Sequence, residues 1–255
     1  MAVDKPKPLP AFTYQSIPRG NTQKHVNRDV LHYLVERSGL APTSRVLDAP
    51  CGEGEFLQVL RQCWPAADLT GCDQRPEAPP VPGLRYQRVD LSQPFDAAAA
   101  GPPFDLITSI SGVMCFGNTR SFVASCIRQL RPGGQLVLTN DNVLTVRDRL
   151  SYLFTGRLRR FRLLFEPGDG MTHLVQHQAL WLLLHEHGVR VREVRYTSWY
   201  TEDLLFLPFA LLLYPFQWWY VWHLKSTVSR RQRLQLFGFK SLLYRHYILV
   251  GEKVA

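Results

Sequence analysis

The sequence predicts a doubly wound α/β domain, with seven strands in a mostly parallel sheet and an apolar helical insertion before the last strand. Three observations point there. Between residues 45 and 140 strand-like and helix-like segments alternate, as parallel strands joined by crossover helices require. The segment FDLITSIS (104–111) is apolar on both faces, which suits a central strand covered on both sides. The segment RVLDAPCGEGEF runs an apolar strand into a glycine-containing turn and then into a helix.

The elements follow in order. Residues 1–21 are rich in proline near their start and are expected to form a flexible arm. Residues 22–39 place Val26, Val30, Leu31, Leu34 and Val35 at helical spacing, and Gly39 stops them. The first strand ends at Asp48, and residues 55–63 form the next helix. Leu69 to Asp73 is a second strand, and the prolines of residues 75–83 forbid a long helix after it. LRYQRVDL is the third strand and FDLITSIS the fourth. Residues 119–131 are helical up to the turn Pro132-Gly133-Gly134, which leads into QLVLTN, the fifth strand. Residues 141–172 read as irregular and carry Arg147, Arg157, Arg159, Arg160 and Arg162. A helix over 176–187, the alternating strand VRVREVRY, an almost wholly apolar stretch over 204–224 and a last strand, HYILVGEKV, complete the chain. The expected divisions are a main domain over 22–200, the insertion over 201–243 and the returning strand over 244–255.

Composition narrows the partners. The net charge is +9, with 45% hydrophobic and 20% charged residues, so a core is available and anionic partners are favoured. Cys51, Cys63, Cys72, Cys115 and Cys126 are odd in number, and no pair has a metal-ligand spacing. Reduced thiols in the cytoplasm are expected, and no metal. The opening MAVDKPKPLPAF has no apolar run of the secretory kind.

The informative residues are Asp48-Ala49-Pro50-Cys51-Gly52-Glu53-Gly54. A turn after a buried strand needs small residues if backbone is to approach a ligand, and the helix behind it presents unpaired N–H groups. Asp73, followed by Gln74, ends the second strand, where an acid accepts hydrogen bonds from a ribose diol. Asp90, followed by Leu91, ends the third in the same way. Strand ends converge at the switch point of an open α/β sheet, so these acids are expected to line one crevice.

With these residues in place, the chain resembles the class I S-adenosylmethionine (SAM)-dependent methyltransferases over about residues 24–140 and its last two strands. The resemblance implies a Rossmann-like sheet with a terminal antiparallel strand, and SAM as cofactor. It assigns Asp48, Ala49, Pro50, Cys51, Gly52 and Gly54 to the loop around the methionine part. Asp73 and Gln74 fall to the ribose, and Asp90 and Leu91 to the adenine edge. Ser109, Ile110 and Ser111 would close the pocket after the fourth strand. The family most often has glycine where Pro50 stands; proline keeps the turn and removes a donor. A nicotinamide site is the nearer competitor, but residues 50–55 read P-C-G-E-G-E and not G-x-G-x-x-G.

Methyl transfer from a sulfonium asks chiefly for alignment, and a hydroxyl acceptor adds the need for a base. His173, in GDGMTHLVQH, is the candidate base. His173 and His177 have an i, i+4 metal-ligand spacing, but no third ligand is evident. The apolar stretch 204–224 is long enough to cross a bilayer. Crossing once would part the last strand from its sheet, and Pro208 and Pro215 would break a straight helix, so a re-entrant hairpin or an in-plane pair is expected. Trp218, Trp219, Tyr220 and Trp222, followed by Lys225, Arg230, Arg231, Arg233, Lys240 and Arg245, suit an anionic membrane surface, with Arg157, Arg159, Arg160 and Arg162 joining the same face.

The function expected is therefore methylation, at an oxygen, of a small amphipathic or lipid-linked acceptor on the inner face of the cytoplasmic membrane. The alternatives are a non-catalytic SAM-binding or assembly subunit and an RNA methyltransferase. Against the latter, Ser111-Gly112-Val113-Met114 stands where an Asn-Pro-Pro-Tyr-type motif would follow the fourth strand.

Overall fold

The computed structural model describes residues 17–20, 22–98, 101–159, 161–164 and 173–254. Most of the expected N-terminal arm and Arg160 lie outside them. A seven-stranded sheet in the order β3-β2-β1-β4-β5-β7-β6 forms the centre. Its strands are β1 (Arg45–Asp48), β2 (Asp68–Asp73), β3 (Arg85–Arg88), β4 (Phe104–Ser109), β5 (Leu130–Asp141), β6 (Val189–Tyr196) and β7 (His246–Lys253). The pairs from β3 to β5 are parallel, and β7 lies antiparallel between β5 and β6. The expected sheet with one reversed strand is thus present. Leu47 and Ile107, paired in the centre of the sheet, are fully buried, and apolar clusters cover both faces.

The helices are α1 (Val26–Arg37), α2 (Glu55–Cys63), α3 (Thr119–Gln129), α4 (Val146–Thr155), α5 (His177–Glu186), α6 (Leu207–His223) and α7 (Arg230–Leu236). Several differ from expectation for local reasons. α1 starts at Val26, not at Thr22, because His25 takes a left-handed φ of 75°. The third strand shrinks to an exposed edge of four residues. The fourth ends at Ser109, before Ser111 turns to φ 55°. The fifth begins early: Phe104 pairs with Leu130 and Leu106 with Gln135, so Pro132-Gly133-Gly134 is looped out of a continuous strand.

Residues 146–155 are a helix and not irregular. Thr145 caps it by accepting the Asp148 N–H at 3.1 Å, and Gly156 closes it at φ 67°. The apolar stretch is one helix, α6, led in by a 3-10 turn over Thr201–Phe206. Pro208 lies in its first turn, where a missing N–H costs nothing, and the chain continues as helix through Pro215. The hairpin or pair expected within 204–224 is thus replaced by a single helix, and α7, which lies beyond that stretch, packs against it. Arg233 seals that contact by donating to the Val221 carbonyl at 3.0 Å and to that of Leu224.

β6 ends and β7 begins at the same edge, since Tyr196 pairs with Tyr247 and Asp141 with His246. The whole insertion therefore leaves and re-enters at the carboxyl edge of the parallel strands. Asn142 anchors it there. Fully buried, its amide donates to the carbonyls of Ser241 at 2.8 Å and Tyr244 at 2.6 Å, and its Oδ1 accepts the Leu144 N–H at 3.0 Å. Asn142→Ala leaves these groups unpaired and is expected to cost about 2–3 kcal/mol. Urea unfolding measures this, with the loss expected in the midpoint and not in the slope.

Candidate functional site

The site begins where β1 stops. Asp48 is buried, and the Thr108 hydroxyl donates to its Oδ1 at 2.6 Å. Burial pushes its carboxyl up to about 7, the Thr108 hydrogen bond opposes this, and the Asp73 charge adds to it. The turn that follows is knitted to neighbouring strand ends. The Ala49 N–H reaches the Thr108 carbonyl at 3.0 Å and the Cys51 N–H reaches the Cys72 carbonyl at 2.9 Å. Gly52 at φ 56° and Gly54 at φ 79° supply left-handed backbone, and a Cβ on Gly54 would meet the Pro79 Cβ at 2.4 Å. Gly54 precedes α2, so the N-terminus of that helix faces the turn.

Asp73 closes the next strand. Its Oδ2 accepts the Gly52 N–H at 2.8 Å and its Oδ1 the Arg75 N–H at 3.2 Å. A carboxylate has about four acceptor positions, so capacity remains for a vicinal diol. Asp90 Oδ1 accepts from Gln74 Nε2 at 3.1 Å, the Ser92 N–H at 2.9 Å and the Ser92 hydroxyl at 2.7 Å. The Ser92 bonds hold its carboxyl below the usual range. Gln74, Arg88, Val89 and Asp90 line a cavity of about 370 Å³, and Leu91 behind it is fully buried.

The opposite wall comes from β4. The Ser109 hydroxyl is buried without a hydrogen-bond partner. Ser111 donates its N–H to Thr139 Oγ1 at 2.8 Å, and its hydroxyl lies 2.7 Å from that of Thr22. A Cβ on Gly112 would sit 2.2 Å from Pro50 Cδ, so the turns after β1 and β4 are in direct contact. Ile110 packs into the core on the α1 side. The expected residues Asp48, Ala49, Pro50, Cys51, Gly52, Gly54, Asp73, Gln74, Asp90, Leu91, Ser109, Ile110 and Ser111 therefore gather along one edge. Thr22 was not foreseen, because its part depends on a contact 89 residues away. Two thiols border the site: burial raises Cys72 to about 12 and pushes Cys51 higher still.

His173 donates its N–H to the Met114 carbonyl at 2.8 Å, which sets it beside the loop after β4, its Nε2 toward Gly117. The rest of that segment, residues 165–172, lies outside the described residues. His177 is a core residue. It stacks on Tyr247 with centroids 3.9 Å apart, and burial lowers its imidazole to about 3. Among the described residues there is no metal-ligand cluster.

The family described as Methyltransferase domain matches residues 20–194. The chain is 32% identical over 100 residues to phthiotriol/phenolphthiotriol dimycocerosates methyltransferase of Mycobacterium leprae, covering 36% of each protein. It is 32% identical over 132 residues to ubiquinone biosynthesis O-methyltransferase of Aromatoleum aromaticum, covering 49% of this chain and 53% of that one. These matches thus span from about a third to about half the length of the relatives. The fold is similar to that of magnesium protoporphyrin IX methyltransferase from Synechocystis, solved with SAH bound. The TM-score there is 0.52 at 14% identity, covering 89% of this chain and 81% of that one.

A cation seated against Asp48 favours its ionised form, whereas the empty site favours the protonated one. If SAM places its positive charge there, its binding is expected to release a proton below pH 7. Affinity should rise with pH by up to about tenfold per unit and level off above 7. Calorimetry in buffers of differing ionisation enthalpy measures both, and a flat profile would exclude Asp48 from contact with the ligand.

Proposed function

Because the chain belongs to the methyltransferase-domain family, we propose that it transfers the methyl group of SAM to an oxygen of an amphipathic or lipid-linked acceptor at a membrane surface. The observation that carries the reaction is the Gly52–Asp73 hydrogen bond, which holds a flexible glycine turn against a carboxylate with acceptor capacity to spare. The residues present suit the cofactor. Asp73 would take the ribose hydroxyls, with Gln74 beside it, and Asp90 with Leu91 the adenine edge. Asp48, Ala49, Pro50, Cys51, Gly52 and Gly54 would flank the methionine part. Ser109 offers an uncommitted hydroxyl inside the wall, and Ile110 and Ser111 close it.

When bound, SAM supplies a methyl group already activated by a positive sulfur, with a neutral leaving group. The protein's own task is to exclude water and aim the acceptor. His173, held by its backbone to the β4 loop, would take the proton of the acceptor hydroxyl. An oxygen acceptor is favoured by relatives named as O-methyltransferases.

Support for the membrane comes from α6. With its lead-in turn it is 23 residues long, and only 11% of its most apolar stretch is buried, so it is no core helix. Leu212 is 65% exposed and Phe216 70%, and Phe154 at the end of α4 is 79% exposed. So much bare apolar surface marks an interaction site. Trp218 stacks on Trp222, Arg230 lies 4.6 Å over the Trp222 ring, and Lys225, Arg231 and Lys240 are exposed. Not every expected cation joins them. Arg233 is spent on carbonyls, Arg245 is bidentate to Asp203, and the Arg159 side chain turns toward Asp148. Since α4 and α6 both spring from the carboxyl edge, an acceptor drawn from a cytoplasmic leaflet would reach the site directly.

Labelled SAM with a metabolite extract tests the chemistry, and absence of any labelled product despite intact SAM binding would sink it. His173→Ala is expected to lower kcat by about 10²- to 10⁴-fold with SAM affinity unchanged. Flotation with anionic vesicles tests the surface. Leu212→Glu with Phe216→Glu is expected to abolish co-flotation, and a wild-type protein that never floats would exclude membrane docking.

A further inference from the structure

We propose that a cationic cleft beside the carboxyl edge seats an oxyanion, phosphate or carboxylate, carried by the methyl acceptor; its assignment to the acceptor rests on the methyl-transfer reading above. The cleft has a volume of about 280 Å³, and its lining includes Arg19, Lys24, His25, Asn27 and Arg28 but no carboxylate. Arg28 is balanced by Asp29 at 3.3 Å. Among the described residues no acidic side chain pairs with Arg19 or Lys24, and both are exposed. Arg19 and Lys24, which converge on one concavity with no acidic partner of their own, repel one another and favour an anion between them. The His25 imidazole is lowered by burial first, then by Arg28 and Lys24, with Asp29 opposing them.

The cleft is built and placed. Asn27 Nδ2 donates to the carbonyls of Pro18 at 3.0 Å and Arg19 at 3.1 Å, holding the incoming strap across the start of α1. Arg19 Nε is spent on the Thr22 carbonyl at 2.7 Å, which leaves its terminal nitrogens to an incoming group. Two neighbours fix where that group would lie. On one side Thr22 meets Ser111 at the end of β4, and three residues of chain separate Thr22 from Arg19 by no more than about 11 Å. On the other side the Tyr200 hydroxyl donates to the Lys24 carbonyl at 3.0 Å, and the Arg245 guanidinium lies 4.2 Å over the Tyr200 ring. The anion would thus sit between the methyl-donor wall and the root of the insertion. An arginine fork with a lysine point charge is a pairing suited to phosphate and carboxylate.

The test titrates the isotope-labelled protein with inorganic phosphate, and separately with acetate, at constant ionic strength set by chloride. SAM affinity is measured on the same samples. Phosphate, acetate or both are expected to shift amides of residues 17–28 saturably. Arg19→Gln with Lys24→Gln should weaken that binding by about tenfold or more while SAM affinity holds. Arg19→Gln also removes the bond to the Thr22 carbonyl, so Lys24→Gln alone, which breaks no such bond, is run beside the double variant and is expected to weaken anion binding severalfold, with the spectrum reporting the fold of each. Saturation by phosphate alone assigns a phosphate, and saturation by acetate as well admits a carboxylate. The proposal is overturned if neither anion saturates, or if the variant binds equally well. It is also overturned if SAM affinity falls with the substitutions, since the cations would then hold the cofactor's own carboxylate. Should the wild type fail to bind SAM while still binding phosphate, the methyl-transfer reading fails and the anion site stands.

Discussion

The hydrogen bond from the Gly52 N–H to the Asp73 carboxylate joins the ends of two neighbouring parallel strands, and the rest of the site is arranged around it. It requires backbone in the left-handed region at Gly52, so a side chain there would be strained before any ligand arrived. The Cys51 N–H bond to Cys72 repeats the tie one residue earlier. The turn is therefore shaped by the adjacent strand, not by the molecule it would grip. A group so placed needs little reordering on binding, which is the usual source of affinity at small-molecule sites.

A second constraint comes from the reversed strand. Because β7 runs against its neighbours, the chain leaves β6 and enters β7 at one edge, the edge that carries the glycine turn. Strap, insertion and α4 all lie there. They are bound to the sheet by polar groups withdrawn from water: Asn142 against Ser241 and Tyr244, and Arg245 against Asp203, which Arg147 approaches to 3.5 Å. Removing one partner of such a buried contact leaves the other unpaired and is costly, so these contacts resist displacement of the insertion. Here they tie a largely bare apolar helix to the rim of the crevice.

Much of this was legible in the sequence, for definite reasons. Asp48 and Asp73 stand where buried strands stop, Asp90 follows the exposed edge strand by two residues, and a strand's end in an open α/β sheet faces its ligand crevice. α2 was readable to the residue because Gly54 starts it and its apolar stripe is clean. α4 was not, although Thr145, Asp148 and Gly156 carry its caps. Val146 and Leu150 face inward while Tyr152, Leu153 and Phe154 face outward, so no stripe is visible. Pro215 suggested a break that the helix does not make. The inward turn of Arg159 and Arg233 was out of reach, since a long side chain's direction is decided by partners remote in the chain. Thr22 was hidden for the same reason.

The two thiols at the site have a chemical meaning. On the proposed reading the pocket would handle an alkylating sulfonium and must not offer it a sulfur nucleophile of its own; Cys51 lies in the turn after β1 and Cys72 one residue before the end of β2. Only a thiolate attacks, and burial among carboxylates holds both sulfurs protonated far above neutral pH. The same burial that raises the Asp48 carboxyl thus keeps both sulfurs from attacking such a guest.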